Sequence, residues 1–343
     1  MEPFKFQAAR ARARLQAAVR SWMAAAGYDE VETPCLVPAP GMEPHIRAFE
    51  APFVPETGGA ARPLWLHASP EYAMKRLLAD GFERIFQLCH VFRNGELSDS
   101  HNPEFTMLEM YRAGTDHAGI MEDLERAVEA GARALHPAGG TRLAWRGREV
   151  DWAAPFDRLR VADAFASAGV DLEACGEDAG RLRAAARARG IDAGPDGEGF
   201  DDAFFRIFLQ AVEPGLGLSR PVYLTDWPAS MAALARIRRD DPRWAERFEL
   251  YAAGLELANG FSELTDATEQ RRRLEEERAL RLRLGRPAYP IDERFLEAVG
   301  RMPDAGGVAL GVDRLLMLLT GAPRIRDVLL FPAGDFPGLG PDG

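Results

Sequence analysis

Apolar residues near the start of the chain recur every three or four positions, which predicts a helix with one buried face. These positions are Leu15, Val19, Trp22 and Met23, and Gly27 is a suitable stop for the helix. Residues 29–34 then predict a short extended segment that ends at a proline. The proline-rich stretch 35–63 predicts loops with brief strands.

A second helix is predicted after Ser69, which can cap it, with Pro70 in the first turn and Gly81 at the end. Residues 84–93 are apolar at both odd and even positions and predict a strand that is buried on both faces. Residues 105–112 predict another strand. Because a polar loop joins the two strands, an antiparallel hairpin is favoured over a crossover.

The pattern is helical again over 119–135, and residues 248–261 predict two strands around Ala253-Gly254. Either Thr265 or Asp266 caps the strongly charged helix that follows, which ends at Gly285. Residues 306–321 predict a short strand, a glycine-lined turn and an apolar helix.

Residues 137–220 are rich in Ala, Arg, Gly and Asp, and we interpret them as a variable insertion of short helices. One of these helices is expected around Phe204, Phe205 and Phe208. The Gly/Pro-rich tail, 336–343, is expected to be loose. With neither a repeat nor a linker in the pattern, the simplest fold is a single α+β domain with a mainly antiparallel sheet.

Composition and charge narrow the function classes. The 343 residues carry a formal net charge of −11, which argues against a general nucleic-acid binder. No apolar run approaches the ~20 residues of a membrane span, and the first residues do not have the pattern of a secretory signal. Cys35, Cys89 and Cys175 form no CxxC pair, which favours a reducing, cytoplasmic setting over a disulfide framework or a zinc cluster.

The predicted hairpin carries the first candidate chemistry. Period-two alternation puts four residues on one face: Phe105, Met107, Glu109 and Tyr111. A carboxylate on such an apolar face is costly unless it meets a cation or hydrogen-bond donors. A structural Glu–Arg pair would explain Glu109 equally well. Arg93, which ends the preceding strand, could clamp a phosphate or carboxylate, or could simply be a surface arginine.

A second acidic group lies later in the chain and comprises Glu249, Glu256, Asn259, Phe261 and Glu263. Its carboxylates repel one another unless a metal or a cationic substrate joins them, and oxygen ligands favour Mg²⁺ or Mn²⁺. Simple alternation puts Glu256 on the face opposite to Asn259. The two can converge only if a bulge or turn lies between them.

Arg314 lies in the first turn of the last predicted helix, directly after the glycine-lined turn. Backbone N–H groups, the helix dipole and this guanidinium together favour an anion. Close packing of a helix on a strand is the common alternative reading of such a turn.

In this order, the motifs resemble the class II aminoacyl-tRNA synthetases. The segment FRNGELSDSHNPEFTMLEMYR (92–112) is similar to motif 2 in its lysyl-specific form, and GVALGVDRLLMLL (307–319) is similar to motif 3. ASPEYAMKRLL (68–78) and ELANGFSELTD (256–266) also resemble lysyl-tRNA synthetase catalytic domains. The resemblance covers roughly residues 8–332 and is weakest over 137–220.

One subgroup of these enzymes fits best. The chain opens on the helix before motif 1, so we expect no anticodon-binding domain over residues 1–343. This feature, with HNPEFTMLEMYR, PASMAALARI (228–237) and the alanine of GVALGVDR, resembles the elongation factor P–lysine lysyltransferase family. The resemblance implies a class II synthetase-like fold with an antiparallel sheet flanked by helices. It also implies ATP-dependent activation of lysine, preferably (R)-β-lysine, and transfer to a lysine side chain of elongation factor P.

The resemblance implies roles by motif position. The catalytic arginines are Arg93, on the α-phosphate of ATP, and Arg314, over the adenine and near the γ-phosphate. Other implied ATP-binding residues are Asn94, Glu96, His101 and Phe105. The implied substrate-binding residues are Glu71, Glu109, Tyr111, Asn259, Phe261, Glu263 and Ala309. Glu249 and Glu256 are implied to hold Mg²⁺.

Three positions depart from these patterns. Gly95 separates Asn94 from Glu96, where the family usually reads Arg-Asn-Glu. Ser100 replaces a residue that is often basic. Ala309 stands where lysyl-tRNA synthetases commonly carry glycine. Its extra methyl group could be harmless packing, but the resemblance favours a pocket fitted to a β-amino acid.

Two other functions remain open: a short synthetase-like enzyme that charges tRNA or another small acceptor, and an inactive regulator that senses lysine or ATP. The missing anticodon domain and the net charge weigh against tRNA. The arginines and glutamates of the motifs weigh against an inactive protein. Because motif 1, around 28–40, forms the dimer interface of class II enzymes, a homodimer is expected.

Overall fold

A computed structural model describes residues 3–136 and 138–339. The helices are α1 (Pro3–Ala25), α2 (Glu71–Ala79), α3 (His117–Leu135), α4 (Val161–Ser167), α5 (Leu172–Cys175), α6 (Ala179–Arg187), α7 (Phe200–Ile207), α8 (Ala267–Arg283), α9 (Glu293–Val299) and α10 (Val312–Thr320). The strands are β1 (Asp29–Glu30), β2 (Leu36–Val37), β3 (Phe49–Glu50), β4 (Trp65–Leu66), β5 (Arg84–Phe92), β6 (Glu104–Ala113), β7 (Arg142–Trp145), β8 (Arg148–Asp151), β9 (Asp157–Arg160), β10 (Val222–Pro228), β11 (Trp244–Ala252), β12 (Leu255–Ser262) and β13 (Ala305–Gly311).

Across these residues, eight strands form the main sheet in the order β1-β5-β6-β13-β12-β11-β10-β9. The pairs from β5 to β10 are antiparallel, and the two edge pairs, β1 with β5 and β9 with β10, are parallel. This confirms the predicted mainly antiparallel α+β fold and the β5–β6 hairpin. The predicted helix ends are confirmed at Gly27, Gly81 and Gly285, which all adopt positive φ just after a helix.

The main sheet buries one face against α1, α3 and α10. The core on this side contains Leu15, Val19 and Met23 of α1, as the helical spacing predicted. On β6, the residues of this core are Leu108 and Met110. Because side chains alternate along a strand, the odd-numbered residues of β6 face the other way and line a cavity.

The stretch 137–220 is only partly the insertion of short helices that its composition predicted. Helices α4 to α7 are present, and Phe165, Phe204 and Phe208 pack with Trp227 in a second core. However, the stretch also contains the β7–β8 hairpin and β9, which extends the main sheet beside β10. These strands are four residues long and rich in charged residues, so they carry little periodic signal.

Strand β12 contains the bulge that the sequence required. Tyr251 pairs with Glu256 whereas Leu250 pairs with Ala258, so Leu257 is the extra residue between them. The bulge reverses the alternation, and Glu256 therefore faces the same side of the sheet as Asn259.

All three cysteines are free thiols. Within residues 3–136 and 138–339, none of the helices combines the length and apolarity needed to cross a bilayer. The expectation of a loose tail falls, at 340–343, outside the described residues. The dimer and the absence of an anticodon-binding domain stay predictions.

Candidate active site

The open face of the sheet bounds a cavity of about 460 Å³. The predicted site residues that line it are Glu71, Arg93, Glu96, His101, Phe105, Glu109, Tyr111, Glu249, Glu256, Asn259, Phe261, Ala309 and Arg314. Two predicted residues, Asn94 and Glu263, are outside the lining in the part of the chain that the structure describes. Residues that are about 200 positions apart in sequence thus meet at one site.

Strand register explains how these residues come together. Ala309 of β13 pairs with Glu109 on one side and with Asn259 on the other, and Asn259 pairs in turn with Glu249. Four strands therefore contribute one row of side chains to the floor of the cavity. A parallel row contains Tyr111, Gly307, Phe261 and Arg247.

The cavity has two chemically different ends, which are separated along β6 and also across the sheet toward β11. We call one the carboxylate end: Ser69, Glu71, Glu109 and Tyr111 line it, and the buried side chains of Lys75 and Glu263 lie behind the lining. We call the other the arginine end: its residues are Arg93, His101, Phe105, Glu249, Glu256 and Arg314. Phe105 and Tyr111 are six residues apart on β6, so the ends are separated by about 20 Å at the rise of an extended strand.

At the carboxylate end, the ammonium group of Lys75 lies between two carboxylates. The side chain is fully buried, and its Nζ atom lies 2.5 Å from Glu71 Oε1 and 2.6 Å from Glu263 Oε2. These two charges raise the pKa of Lys75 against the lowering effect of burial, so the group stays protonated. The resemblance implies that both carboxylates bind the substrate, and the structure shows that an internal cation already shares them.

Glu109 has a different environment. It is 1% exposed, and its carboxylate accepts hydrogen bonds from Tyr111 Oη (2.5 Å) and Ser69 Oγ (2.8 Å). Burial, and then the charge of Glu71, raise the pKa of Glu109 to about 8 despite these donors. In the described residues, no ion pair joins Glu109 to a basic side chain, so this carboxylate is available to a cationic ligand.

Gly307 allows Glu263 to approach the cavity wall. A Cβ atom at this position would lie 2.2 Å from Glu263 Oε1 and 2.3 Å from the ring of Tyr111. Any larger residue would therefore push Glu263 away from Lys75. This explains the glycine at 307, whereas at Gly306 a Cβ atom would lie 2.5 Å from the carbonyl oxygen of Asp116.

At the arginine end, Arg93 is a cation without a close anionic partner. Its guanidinium lies 5.2 Å from the centroid of the Phe105 ring, and the nearest carboxylate oxygen, on Glu96, is 4.0 Å away. The Nε atom is buried and makes no hydrogen bond to any described residue. A buried orphan donor on a positive group is suited to an anionic ligand.

Arg314 ties the last helix to the loop after Arg93. It donates to the carbonyl oxygens of Ser100 (3.1 Å) and Glu256 (2.8 Å) and to His101 Nε2 (2.5 Å). Burial and the charges of Arg314 and Arg93 lower the pKa of His101 to about 4, so this ring is neutral at pH 7. The fold thus brings the two predicted arginines and the histidine together.

Glu249 is held by the neighbours on its own strand. Arg247 Nη2 and Tyr251 Oη donate to its two oxygens at 2.6 and 2.5 Å. Burial raises the pKa of Glu249 to about 7, and the charges of Glu256 and Glu213 also raise it, against the opposing charge of Arg247. Glu249 and Glu256 therefore repel one another across the cavity.

The structure shows how the loop after Arg93 accommodates its departures from the family pattern, at Gly95 and Ser100. Gly95 has a φ of +90°, and Glu96, the residue after it, lines the cavity. The extra residue is thus absorbed in a turn that only glycine adopts without strain, and Glu96 still reaches the site. Ser100 lies 3.3 Å from His101 Nδ1, through its Oγ atom.

Sequence reasoning missed several residues of the site. Lys75 could have been found from its i, i+4 spacing to Glu71 on a predicted helix. Arg247 could have been found because it alternates with Glu249 on β11. Glu43 lines the cavity from an irregular loop, and no periodic pattern marks it.

Comparison with known proteins adds an independent observation. Residues 2–335 match the family model of the class II tRNA synthetases (D, K and N). The chain is 40% identical over 322 residues to proteins named elongation factor P–(R)-β-lysine ligase from Salmonella arizonae, Salmonella paratyphi B and Salmonella choleraesuis. Each alignment covers 93% of this chain and 93% of the relative.

Proposed function

Because the chain belongs to the family of class II tRNA synthetases (D, K and N), we propose that it is an ATP-dependent ligase. Its substrate is lysine, preferably (R)-β-lysine, and its acceptor is a lysine side chain of elongation factor P. The names of its 40% identical relatives support both the substrate and the acceptor.

One observation carries the proposal: a single cavity joins a carboxylate end to an arginine whose buried Nε atom has no partner among the described residues. The three glutamates of the carboxylate end, together with Lys75, leave two negative charges when all are ionised. Lysine and β-lysine each carry two ammonium groups, which match this charge. Hydrogen bonds to charged groups contribute about 1.5–3 kcal/mol each, enough to discriminate against neutral amino acids.

The first step forms an adenylate. Glu71 and Glu109 hold the ammonium groups, with Tyr111 and Asn259 beside them, so that the substrate carboxylate points toward the arginine end. A carboxylate oxygen attacks the α-phosphorus of ATP in line, and pyrophosphate leaves with the bonding electrons. Arg93 stabilises the charge on the α-phosphate, and this positioning supplies most of the rate enhancement.

The nucleotide lies at the arginine end. Phe105 stacks on one face of the adenine, and Arg314 covers the other face and reaches the γ-phosphate. Neutral His101 donates a hydrogen bond to the distal phosphates from Nδ1, because its Nε2 accepts from Arg314. Glu96 takes the place of the family's glutamate at the adenine edge. The cation–π distance between Arg93 and Phe105 supports a short path from the ring to the α-phosphate.

Glu249 and Glu256 would hold Mg²⁺. Their mutual repulsion and the raised pKa of Glu249 fit a bound cation. No cluster of three or more His, Cys, Asp or Glu side chains with metal-binding geometry occurs in 3–136 or 138–339, so the protein alone does not form a full shell. Phosphate oxygens and water would complete it, as is usual for Mg²⁺. When bound, the ion neutralises phosphate charge.

In the second step, the amine of the acceptor lysine attacks the carbonyl carbon of the adenylate, and AMP leaves.

The implied homodimer would form through motif 1, around 28–40.

The proposal is tested by pyrophosphate exchange with (R)-β-lysine, α-lysine and no amino acid, followed by transfer to elongation factor P or tRNA(Lys) in parallel. We expect exchange that depends on the amino acid, with (R)-β-lysine preferred, and label on elongation factor P only. Charging of tRNA alone would contradict the acceptor. A protein that binds ATP but catalyses no exchange would instead be the inactive sensor.

A further inference from the structure

Glu43 lines the cavity together with residues of both of its ends. It belongs to the loop that joins β2 to β3, and it lines the cavity with Glu71 and Arg93. The loop contacts the residue after Arg93 directly, because Asn94 N donates to the carbonyl oxygen of Arg47 at 2.7 Å. Glu43 is therefore near the position where the substrate carboxylate must meet the α-phosphate.

The backbone of this loop is firmly held. The buried side chain of Arg281 donates to the carbonyl oxygens of Glu43 and Ile46, both at 2.8 Å. Arg286 donates to the carbonyl oxygen of Pro44 at 2.5 Å, and Ala48 N donates to Tyr289 Oη at 2.9 Å. A residue on such a loop keeps its position without any contribution from ligand.

The Glu43 carboxylate, by contrast, is under-satisfied. Its Oε2 atom is shielded from solvent and accepts no hydrogen bond within the described ranges of the chain. It lies against the backbone of Gly41, where a Cβ atom would be only 2.2 Å from Oε2. A buried carboxylate oxygen without a donor is unusual and requires an explanation.

Burial makes the Glu43 carboxylate more basic than an exposed one. Burial and the charge of Glu71 raise its pKa, and Arg93 and Arg281 act in the opposite direction. The ionisable groups facing Glu43 are Glu71 and Tyr72 of α2, Arg93 after β5, and Glu277 and Arg281 of α8. Substrate ammonium groups do not need Glu43, since the carboxylate end already matches their two charges.

The second step has a requirement that no residue named so far meets. The acceptor amine is an ammonium group at neutral pH and cannot attack until it loses a proton. We propose that Glu43 is a further catalytic residue, which receives this proton from the acceptor lysine. This inference rests on the proposed ligase function.

The proton balance is complete. The ammonium group transfers one proton to the Glu43 carboxylate and becomes a neutral amine. The nitrogen lone pair then forms the C–N bond, the bond between the carbonyl carbon and the phosphate oxygen breaks, and AMP takes the electron pair. The second proton on nitrogen leaves with the AMP phosphate or to water. Glu43 then releases its proton to water through the open cavity.

The test separates the two steps in Glu43→Gln. Pyrophosphate exchange with (R)-β-lysine should remain near the parent rate, whereas single-turnover transfer from preformed adenylate to elongation factor P should fall about 100-fold. Hydroxylamine is uncharged at neutral pH and needs no base. Its reaction with the adenylate on the variant should therefore match the parent.

Three further variants control the result. Glu277→Gln removes a neighbouring carboxylate that, in the described part of the chain, does not line the cavity, and should transfer at close to the parent rate. Glu43→Asp should restore part of the transfer. Gly41→Ala, which displaces the Glu43 carboxylate, should slow transfer but not exchange. In Glu43→Gln, the rise of the transfer rate with pH should move to higher pH.

Each outcome is decisive. Parent-like transfer by Glu43→Gln overturns the inference. So does equal loss of exchange, hydroxylamine trapping and transfer, because that pattern indicates a structural or adenylation role. If the parent protein itself shows no exchange dependent on lysine or β-lysine, the proposed function fails instead.

Discussion

The two ends of the cavity solve the problem of buried charge in opposite ways. At the carboxylate end, Lys75 and Glu263 are fully buried, Glu71 is 12% exposed, and the three pair with one another before any ligand arrives. At the arginine end, Arg93 is partly exposed and has a buried Nε atom without a partner among the described residues. The first arrangement ties substrate selection to folding stability, whereas the second leaves a charge unsatisfied until a phosphate binds.

The sharpest way to break this comparison is to remove the shared cation. Lys75→Met should lower the free energy of unfolding by about 3–5 kcal/mol, because two buried carboxylates lose their partner. Urea unfolding measures this loss. Arg301→Met, which breaks an exposed pair with Asp80 (3.7 Å), is the control and should cost less than about 1 kcal/mol. Equal losses in both variants would contradict the tie between selection and stability.

The arginine end should behave in the reverse manner. Arg93→Ala should reduce kcat/KM for pyrophosphate exchange by about 10²–10³-fold, because a donor to the developing charge on the α-phosphate is lost. Its unfolding midpoint should change little. Arg326→Ala, at an exposed ion pair with Asp335, is the matched control. A large loss of stability in Arg93→Ala would mean that the residue is structural.

The pH dependence should sharpen the contrast further. The pKa of Glu109 is raised to about 8 by burial and by the charge of Glu71. Since an ammonium group binds the ionised carboxylate, affinity for lysine should rise with pH up to about 8, by at most about tenfold per pH unit. KM for lysine, measured from pH 6.5 to 8.5, tests this. In Glu109→Gln the slope should disappear, and an unchanged slope would assign it to another group.

The same raised pKa affects stability, with a definite sign. The folded protein keeps a proton on Glu109 at pH values where the unfolded chain has released it. Glu109 therefore makes its full contribution to the free energy of unfolding at pH values below its pKa in the unfolded chain. This contribution is lost as the pH rises toward about 8, the pKa of Glu109 in the folded protein.

The smallest expected effect is at Ala309, between the two ends. Ala309→Gly should improve adenylation of α-lysine relative to (R)-β-lysine by about fivefold, about 1 kcal/mol, because one methyl group shapes the floor beside Glu109 and Asn259. The ratio of kcat/KM values for the two substrates measures it. An unchanged ratio would show that the methyl group only packs.

The features of the site that the sequence predicts are those that follow from the alternation of residues along a strand. Alternation in β6 was sufficient to predict that Glu109 and Tyr111 share a face. In β12, alternation predicted a bulge or turn only on the condition that Glu256 and Asn259 converge, and the structure contains the bulge. The partners of the buried charges were not predictable in the same way. Lys75 and Arg247 pair with glutamates on their own helix and strand, but a charged pair leaves no mark in the hydrophobic pattern. The second partner of Lys75, Glu263, is a tertiary contact, and Glu43 belongs to a loop without periodicity.

The fold was predicted best where the chain is strongly patterned. The hairpin and the charged helix α8 are confirmed, including the N-cap at Asp266, which accepts from two backbone N–H groups. Strands β7, β8 and β9 were missed. Each is held mainly by its partner strand and not by its own apolar pattern.

The bulge at Leu257 changes which positions of β12 face the cavity. After the bulge, the odd-numbered residues Asn259 and Phe261 face the cavity. Before the bulge, the even-numbered Glu256 faces it. Two ligand-facing residues on one strand are thus separated by an odd interval, three positions from Glu256 to Asn259. If β12 paired regularly with β11 through all of its residues, without the bulge, Glu256 would turn to the face of the sheet opposite to Asn259. The single extra residue at position 257 therefore determines that Glu256 and Asn259 face the same cavity.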